Sequence, residues 1–193
     1  MAIIEEVRRR KDAQRNREAI LAAARELFAD RAEAPMCEVA RRAGVGQATL
    51  YRNFPDHRAL AAALLAEQMD GLEQLAAEHA GDPDVFFVLL RSVVEAIGRF
   101  DALGQLARAG ACTGSELYSC RRRLAELMKD PLRAAKAAGA VRRDLSMDDV
   151  FLVLSMVRGA TDGADGPAAR AAAASRVLAL ALDGLGPAGA QLR

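Results

Sequence analysis

Hydrophobic residues recur at intervals of three and four along nearly the whole chain, which is the spacing of an amphipathic α-helix. Polar and apolar residues alternate in no convincing run, so no strand is predicted. The periodicity predicts an all-α protein of about nine helices. The first helix is expected over about residues 12–29, with Asp12 as its N-cap. Its buried face carries Ile20, Ala24 and Leu27.

Two short helices joined by a tight turn are predicted between residues 36 and 54. Gly44 ends the first, because glycine adopts the positive φ of a helix C′ position at little cost. In the second, over residues 47–53, Leu50 and Phe54 are four apart and share the inner face. The side chains left toward solvent are those of Gln47, Thr49, Arg52 and Asn53. This is the pattern of a helix-turn-helix, whose second helix enters the major groove in DNA-binding proteins.

The rest of the chain is predicted to be helical, with loops at glycine and proline. The expected helices span about residues 56–79, 83–99, 102–109, 115–131, 147–159 and 167–184. Pro131 is expected to kink or break its helix, because proline removes a backbone hydrogen bond. Ser146 and Asp149 have the spacing of a capping box and predict where the next helix begins.

The net charge of the chain is +1, but the basic residues are concentrated near the N-terminus. Residues 1–60 contain 12 Lys and Arg against 9 Asp and Glu, whereas residues 61–193 contain 15 against 17. The cations ahead of the helix-turn-helix are Arg8, Arg9, Arg10, Lys11, Arg15 and Arg17. Such an arm either neutralises phosphates or enters a minor groove, or it is an ordinary solvated tail.

Few features indicate catalysis, metal binding or membrane insertion. No nucleophile elbow, P-loop or zinc motif occurs, so we expect no enzyme activity, no cofactor and no metal. Cys37, Cys112 and Cys120 lack metal-ligand spacing and are expected to be small core residues. A redox pair of Cys112 and Cys120 is the alternative. A run of about 18 apolar residues and a signal peptide are both absent from the sequence, so the expected location is the cytoplasm.

Residues 24–60 resemble the DNA-binding domain of TetR-type transcriptional regulators. The matching segments are Glu26-Leu27-Phe28, Val39-Ala40, Ala43-Gly44-Val45, Thr49-Leu50-Tyr51, Phe54 and Ala59-Leu60. The resemblance implies a two-fold dimer whose N-terminal helices bind operator DNA, and whose fourth helix moves when a small effector binds. We accordingly expect a DNA-binding domain over residues 1–56, a helical effector-binding and dimerisation domain over residues 57–186, and a disordered tail over residues 187–193.

The resemblance also assigns roles to individual residues. Those assigned to DNA binding are Arg15, Arg42, Gln47, Ala48, Thr49, Tyr51, Arg52, Asn53 and His57. Bases are read from the start of the second helix, Tyr51 and Asn53 match phosphate-binding positions, and Arg52 contacts either a base or a phosphate. Glutamine pairs with adenine, a threonine methyl contacts thymine, and arginine pairs with guanine. His57 stands where the family usually has lysine, so its phosphate contact is expected to strengthen at low pH.

The larger domain has candidates for an effector pocket and for a dimer interface. The apolar side chains that could line the pocket are Phe86, Phe87, Phe100, Met128, Phe151 and Met156, although such residues equally form ordinary cores. The last two long helices are expected to form a four-helix bundle across the two-fold axis. The predicted function is a homodimeric repressor that binds a palindromic operator in double-stranded DNA and is released by an unknown small molecule. The alternatives are a DNA-binding regulator without a ligand and, less favoured, a helical enzyme or adaptor.

Overall fold

The computed structural model describes residues 2–30, 34–99 and 114–185. These residues form eight helices and no strand, which confirms the predicted all-α fold. The helices are α1 (Ala2–Asp30), α2 (Met36–Arg42), α3 (Gln47–Asn53), α4 (His57–Glu78), α5 (Val85–Arg99), α6 (Gly114–Ala137), α7 (Met147–Asp162) and α8 (Gly166–Leu185). The short helix predicted over residues 102–109 and the tail predicted over residues 187–193 lie outside the described residues.

Helix α1 begins at Ala2 rather than near Asp12, so the predicted N-cap and the predicted separate arm are both wrong. The side chains of residues 5–15 are all exposed. Side-chain pairs one turn apart support the extension: Arg10 Nη2 donates to Glu6 Oε1 at 3.0 Å, and a similar bond joins Gln14 to Glu18. Polar helix-forming residues therefore continue the helix well beyond the part that is buried.

The chain divides into two compact units, and the division falls within α4 between Ala66 and Glu67. The first unit contains α1, α2, α3 and the N-terminal half of α4. Its buried side chains include those of Ile20, Ala24, Phe28, Val39, Ala40, Leu50, Phe54, Leu60 and Leu64. Helices α2 and α3 have only 7 residues each, which is too short for stability in isolation. Burial against the longer helices of this unit therefore stabilises α2 and α3.

Gly44 allows the tight turn between α2 and α3, as predicted. Its φ is +68°, a left-handed conformation in which a side chain would be strained. Beyond it, the amide of Val45 donates to the carbonyl oxygen of Ala40 at 3.0 Å, which closes the turn. Gly46 precedes α3, and its carbonyl oxygen accepts the first hydrogen bond of that helix from the Thr49 amide.

The second unit is built around α5, which is buried along most of its length. Phe86 and Leu89 are fully buried, and α5 contacts α6, α7 and α8. A Cβ placed on Gly98 would lie 3.0 Å from the Cβ of Ala174 in α8. Small residues at these two positions therefore let α5 and α8 approach closely.

Helix α6 continues through Pro131 to Ala137, so the predicted break at this proline is wrong. Pro131 has no amide proton to donate to the preceding turn. The turn that follows it nevertheless buries Leu132 and Ala135 in the core of the second unit. This burial offsets the lost hydrogen bond, and the helix ends only before Gly139, which has a φ of +71°.

The predicted capping box begins α7. The Ser146 Oγ accepts from the amide of Asp149 at 3.2 Å, and the Asp149 carboxylate accepts from the Ser146 amide at 2.7 Å. The hydrogen bonds from the Ser146 side chain and then its backbone hold the pKa of Asp149 below its ordinary value. The helix runs to Asp162, further than predicted.

Folding stability is expected to depend on the charge of Asp149. Because its pKa is lower in the folded chain, the carboxylate stabilises the fold above about pH 4, and this contribution is lost as the pH falls through the folded pKa. Asp149→Asn is therefore expected to lower the Tm at about pH 7 by more than it does near pH 3, measured by circular dichroism. The control is Asp183→Asn, at an exposed position of α8 outside the capping box. If Asp149→Asn lowered the Tm equally at both pH values, the stabilising role of the Asp149 charge would be contradicted.

Candidate nucleic-acid interface

Helix α3 presents a polar face to solvent. Leu50 is the one fully buried residue of α3. Phe54, the first residue after the end of the helix, is also buried. The remaining positions divide into exposed side chains and half-buried ones. Gln47, Ala48, Tyr51 and Arg52 are exposed, while Thr49 and Asn53 are half-buried. The inner and outer faces of α3 thus have the composition that a helix needs if it is to enter a groove of DNA.

Two polar side chains of α3 fold back onto Thr49. Arg52 donates from Nη2 to the Thr49 Oγ1 at 3.1 Å and from Nε to the Ala48 carbonyl oxygen at 3.1 Å. Asn53 donates from Nδ2 to the Thr49 carbonyl oxygen at 2.8 Å. The exposed end of Arg52 therefore lies beside the first turn of α3.

The other predicted DNA-binding arginines lie on α1 and α2. Arg42 of α2 donates from Nε and Nη2 to one carboxylate oxygen of Glu26 in α1, at 3.0 and 2.7 Å. Arg15 is exposed on α1, with Nη1 at 3.8 Å from a carboxylate oxygen of Asp12. The Glu26–Arg42 pair links α2 to α1 at the surface, so Arg42 has a contact within the protein in addition to its predicted role.

The ring of His57, at the start of α4, packs against α1. Its ring is half-buried, and it meets the ring of Phe28 edge-on with 5.9 Å between the centroids. Its Nε2 is buried and has no hydrogen-bond partner among the described residues. A phosphate contact through Nε2 is therefore not available in this conformation, because the ring packs against α1.

An open groove of about 600 Å³ lies next to the start of α3. Its lining residues are Pro35, Cys37, Glu38, Ala40, Arg41, Val45 and Gln47. Cys37 is exposed there, so its predicted place in the core is wrong. Cys120 is half-buried on α6, and Cys112 lies outside the described residues.

The candidate pocket residues of the second unit occupy different environments. Phe86 and Met128 are fully buried, and Phe87 and Phe151 are half-buried against the same apolar cluster. The guanidinium of Arg121 lies 4.2 Å from the centre of the Phe151 ring. Met156 is instead 55% exposed on the outer side of α7, so it does not line the interior of this unit. Phe100 lies outside the described residues.

The comparisons with known proteins agree with this architecture. Residues 20–64 match the family model of bacterial regulatory proteins of the tetR family. Residues 82–187 match that of the C-terminal domain of SbtR-like transcriptional regulators. The chain belongs to the TetR family of transcriptional regulators. It is therefore a DNA-binding protein, as the sequence predicted, and members of this family are in general not enzymes.

Solved TetR-family structures match along nearly the whole chain. The TetR transcriptional regulator SCO0520 from Streptomyces coelicolor is 30% identical over 90% of this chain and 99% of its own, with a TM-score of 0.66. The TetR transcription regulatory protein from Mycobacterium vanbaalenii is 29% identical over 91% and 98%, with a TM-score of 0.63. No curated protein sequence matches significantly. None of the described helices is long and apolar enough to cross a membrane.

Several features of the candidate interface could not be inferred from residue spacing. The Glu26–Arg42 pair joins residues on different helices, 16 positions apart, and no local pattern connects them. The inward orientation of His57 depends on Phe28, which belongs to another helix. The return of Arg52 onto Thr49, by contrast, follows a spacing of three on one helix and could have been anticipated.

Proposed function

We propose that this TetR-family regulator is a homodimeric repressor that binds a palindromic operator and is released by a small-molecule effector. The observation that carries the proposal is the polar, exposed face of α3 above the buried Leu50 and Phe54. Side chains of Gln, Thr and Arg on such a face can pair with base edges in the major groove. Because its ligand is chromosomal DNA, the proposed place of action is the cytoplasm.

Helix α1 supplies a second surface suited to DNA. Arg8, Lys11 and Arg15 follow one another at spacings of three and four, so they lie along one side of the helix. All three are exposed. A row of cations on a helix can neutralise phosphates next to the bases that α3 reads, which would raise affinity without adding specificity.

The proposed dimer uses α7 and α8. Leu152 and Met156, which are four apart on α7, and Leu180 on α8 are more than half exposed. Exposed apolar side chains of this size supply the kind of area that a protein interface buries. An isologous contact of the two helices with their copies would place two α3 helices on one face of the duplex.

Effector control rests on the half-buried aromatic rings of Phe87 and Phe151, which border the core of the second unit. The alternative, a regulator without a ligand, is favoured by the complete burial of Phe86 and Met128, which leaves these two side chains no exposed surface. One measurement separates the two functions. Release of bound operator by the protein-free small-molecule fraction of a host lysate is expected for the first and not for the second.

Selection of bound duplexes from a random pool tests DNA recognition directly. We expect an enriched palindrome whose half-sites are separated by about 10 base pairs or a multiple of that, because two recognition helices must face the same side of the duplex. Gln47→Ala is expected to relax the preferred base at one position of each half-site. Gln74→Ala on α4 serves as the control, with an unchanged site. An enriched site without two-fold symmetry would contradict the dimeric mode of binding.

A further inference from the structure

The guanidinium of Arg52 is held by its own helix. Nε donates to the Ala48 carbonyl oxygen and Nη2 to the Thr49 Oγ1, both at 3.1 Å. Both acceptors lie in the first turn of α3, so the charged end of this exposed side chain is drawn toward the N-terminal end of the helix. In helix-turn-helix proteins this end of the second helix contacts base edges.

These two bonds use only one edge of the guanidinium. Arginine has five N–H donors in a planar fork. The bonds to Ala48 and Thr49 use the Nε side, whereas the end of the fork keeps one N–H on each of Nη1 and Nη2. Two parallel donors of this kind match the O6 and N7 acceptors of guanine.

We propose that Arg52 pairs with a guanine in each operator half-site and that Thr49 is a positioning residue that orients it. The inference rests on the proposed operator binding and specifies one base of the site. The fork is held before binding, so less side-chain freedom is lost when the contact forms. The Thr49 carbonyl oxygen also accepts from Asn53 at 2.8 Å, which keeps a second polar side chain of α3 in a defined position.

The test is selection from a random duplex pool with the full-length wild type and three variants. The wild type is expected to require guanine at one symmetric position, with a loss on the order of tenfold or more for other bases in titrations. Arg52→Ala, which removes every donor of the side chain, is expected to lose this preference at that position alone. Thr49→Val, which keeps the side-chain shape but removes the acceptor, is expected to weaken it several-fold, and Thr49→Ser is expected to retain it. Thermal unfolding verifies that every variant is folded.

The outcomes distinguish this inference from the proposed function. If the wild type enriches a palindrome and Arg52→Ala still selects the same guanine, operator binding stands and Arg52 does not read that base. If Thr49→Val behaves like the wild type, Thr49 has no positioning role. A wild-type pool without any enriched sequence would overturn operator binding and this inference together.

Discussion

Replacing Leu152 and Met156 with glutamate is expected to convert the protein to a monomer and to weaken operator binding by about a hundredfold or more, because a second linked contact contributes that much avidity. The two side chains are 60% and 55% exposed and lie one turn apart on α7. In the proposed interface they would be buried against the partner copy, and glutamates there would be desolvated without a partner of opposite charge. Light scattering at micromolar concentration and fluorescence anisotropy with labelled operator measure the two effects.

Tyr118→Glu is the matched control for this double substitution. Tyr118 is also a large exposed side chain, with 66% of its surface accessible, but it lies on α6. The variant is expected to remain a dimer with unchanged affinity. A Leu152→Glu, Met156→Glu protein that stays dimeric would show that the interface lies elsewhere.

Phe86→Ala is expected to destabilise the second unit by about 3–5 kcal/mol, the usual cost of removing a fully buried phenylalanine ring. Phe86 has no exposed surface and belongs to the core cluster that also contains Leu89, Leu90 and Met128. A loss of this size is a large share of the stability of a typical domain. Urea unfolding followed by circular dichroism measures it.

Phe87→Ala provides the comparison within the same turn. Phe87 is half-buried, and its ring meets that of Phe86 edge-on with 5.3 Å between the centroids. Phe87 has less buried surface to lose. Its truncation is therefore expected to lower the free energy of unfolding clearly less than that of Phe86. A smaller loss for Phe86→Ala than for Phe87→Ala would mean that the space around Phe86 is loosely packed, which would favour a ligand cavity there.

Much of the local structure could be predicted because its causes are local. The limits of α3, the turn at Gly44 and the capping box of Ser146 and Asp149 all follow from the preferences of residues within a few positions of one another. The division of α3 into an inner and an outer face follows equally from its spacing of three and four. These features were enough to indicate the helix-turn-helix and the exposure of Gln47 and Arg52, whereas Thr49 and Asn53, also predicted toward solvent, are half-buried.

The wrong predictions concern features that depend on contacts between residues far apart in the sequence. Helix α6 continues through Pro131 because the following turn is buried in the second unit, which spacing cannot reveal. The packing of the His57 ring against Phe28, a residue of another helix, is equally invisible to residue spacing. Met156 was predicted to be a pocket residue from its type alone, but its position on the outer side of α7 exposes it.

The sequence by itself determined which segments become helices, where the tight turn falls and which polar residues α3 carries, because backbone preferences and helical periodicity act over a few residues. Only the tertiary structure decided which side chains are buried, which ion pairs join different helices and which apolar residues stay outside. Those outcomes depend on contacts between residues far apart in the chain, as in the pairing of Glu26 with Arg42.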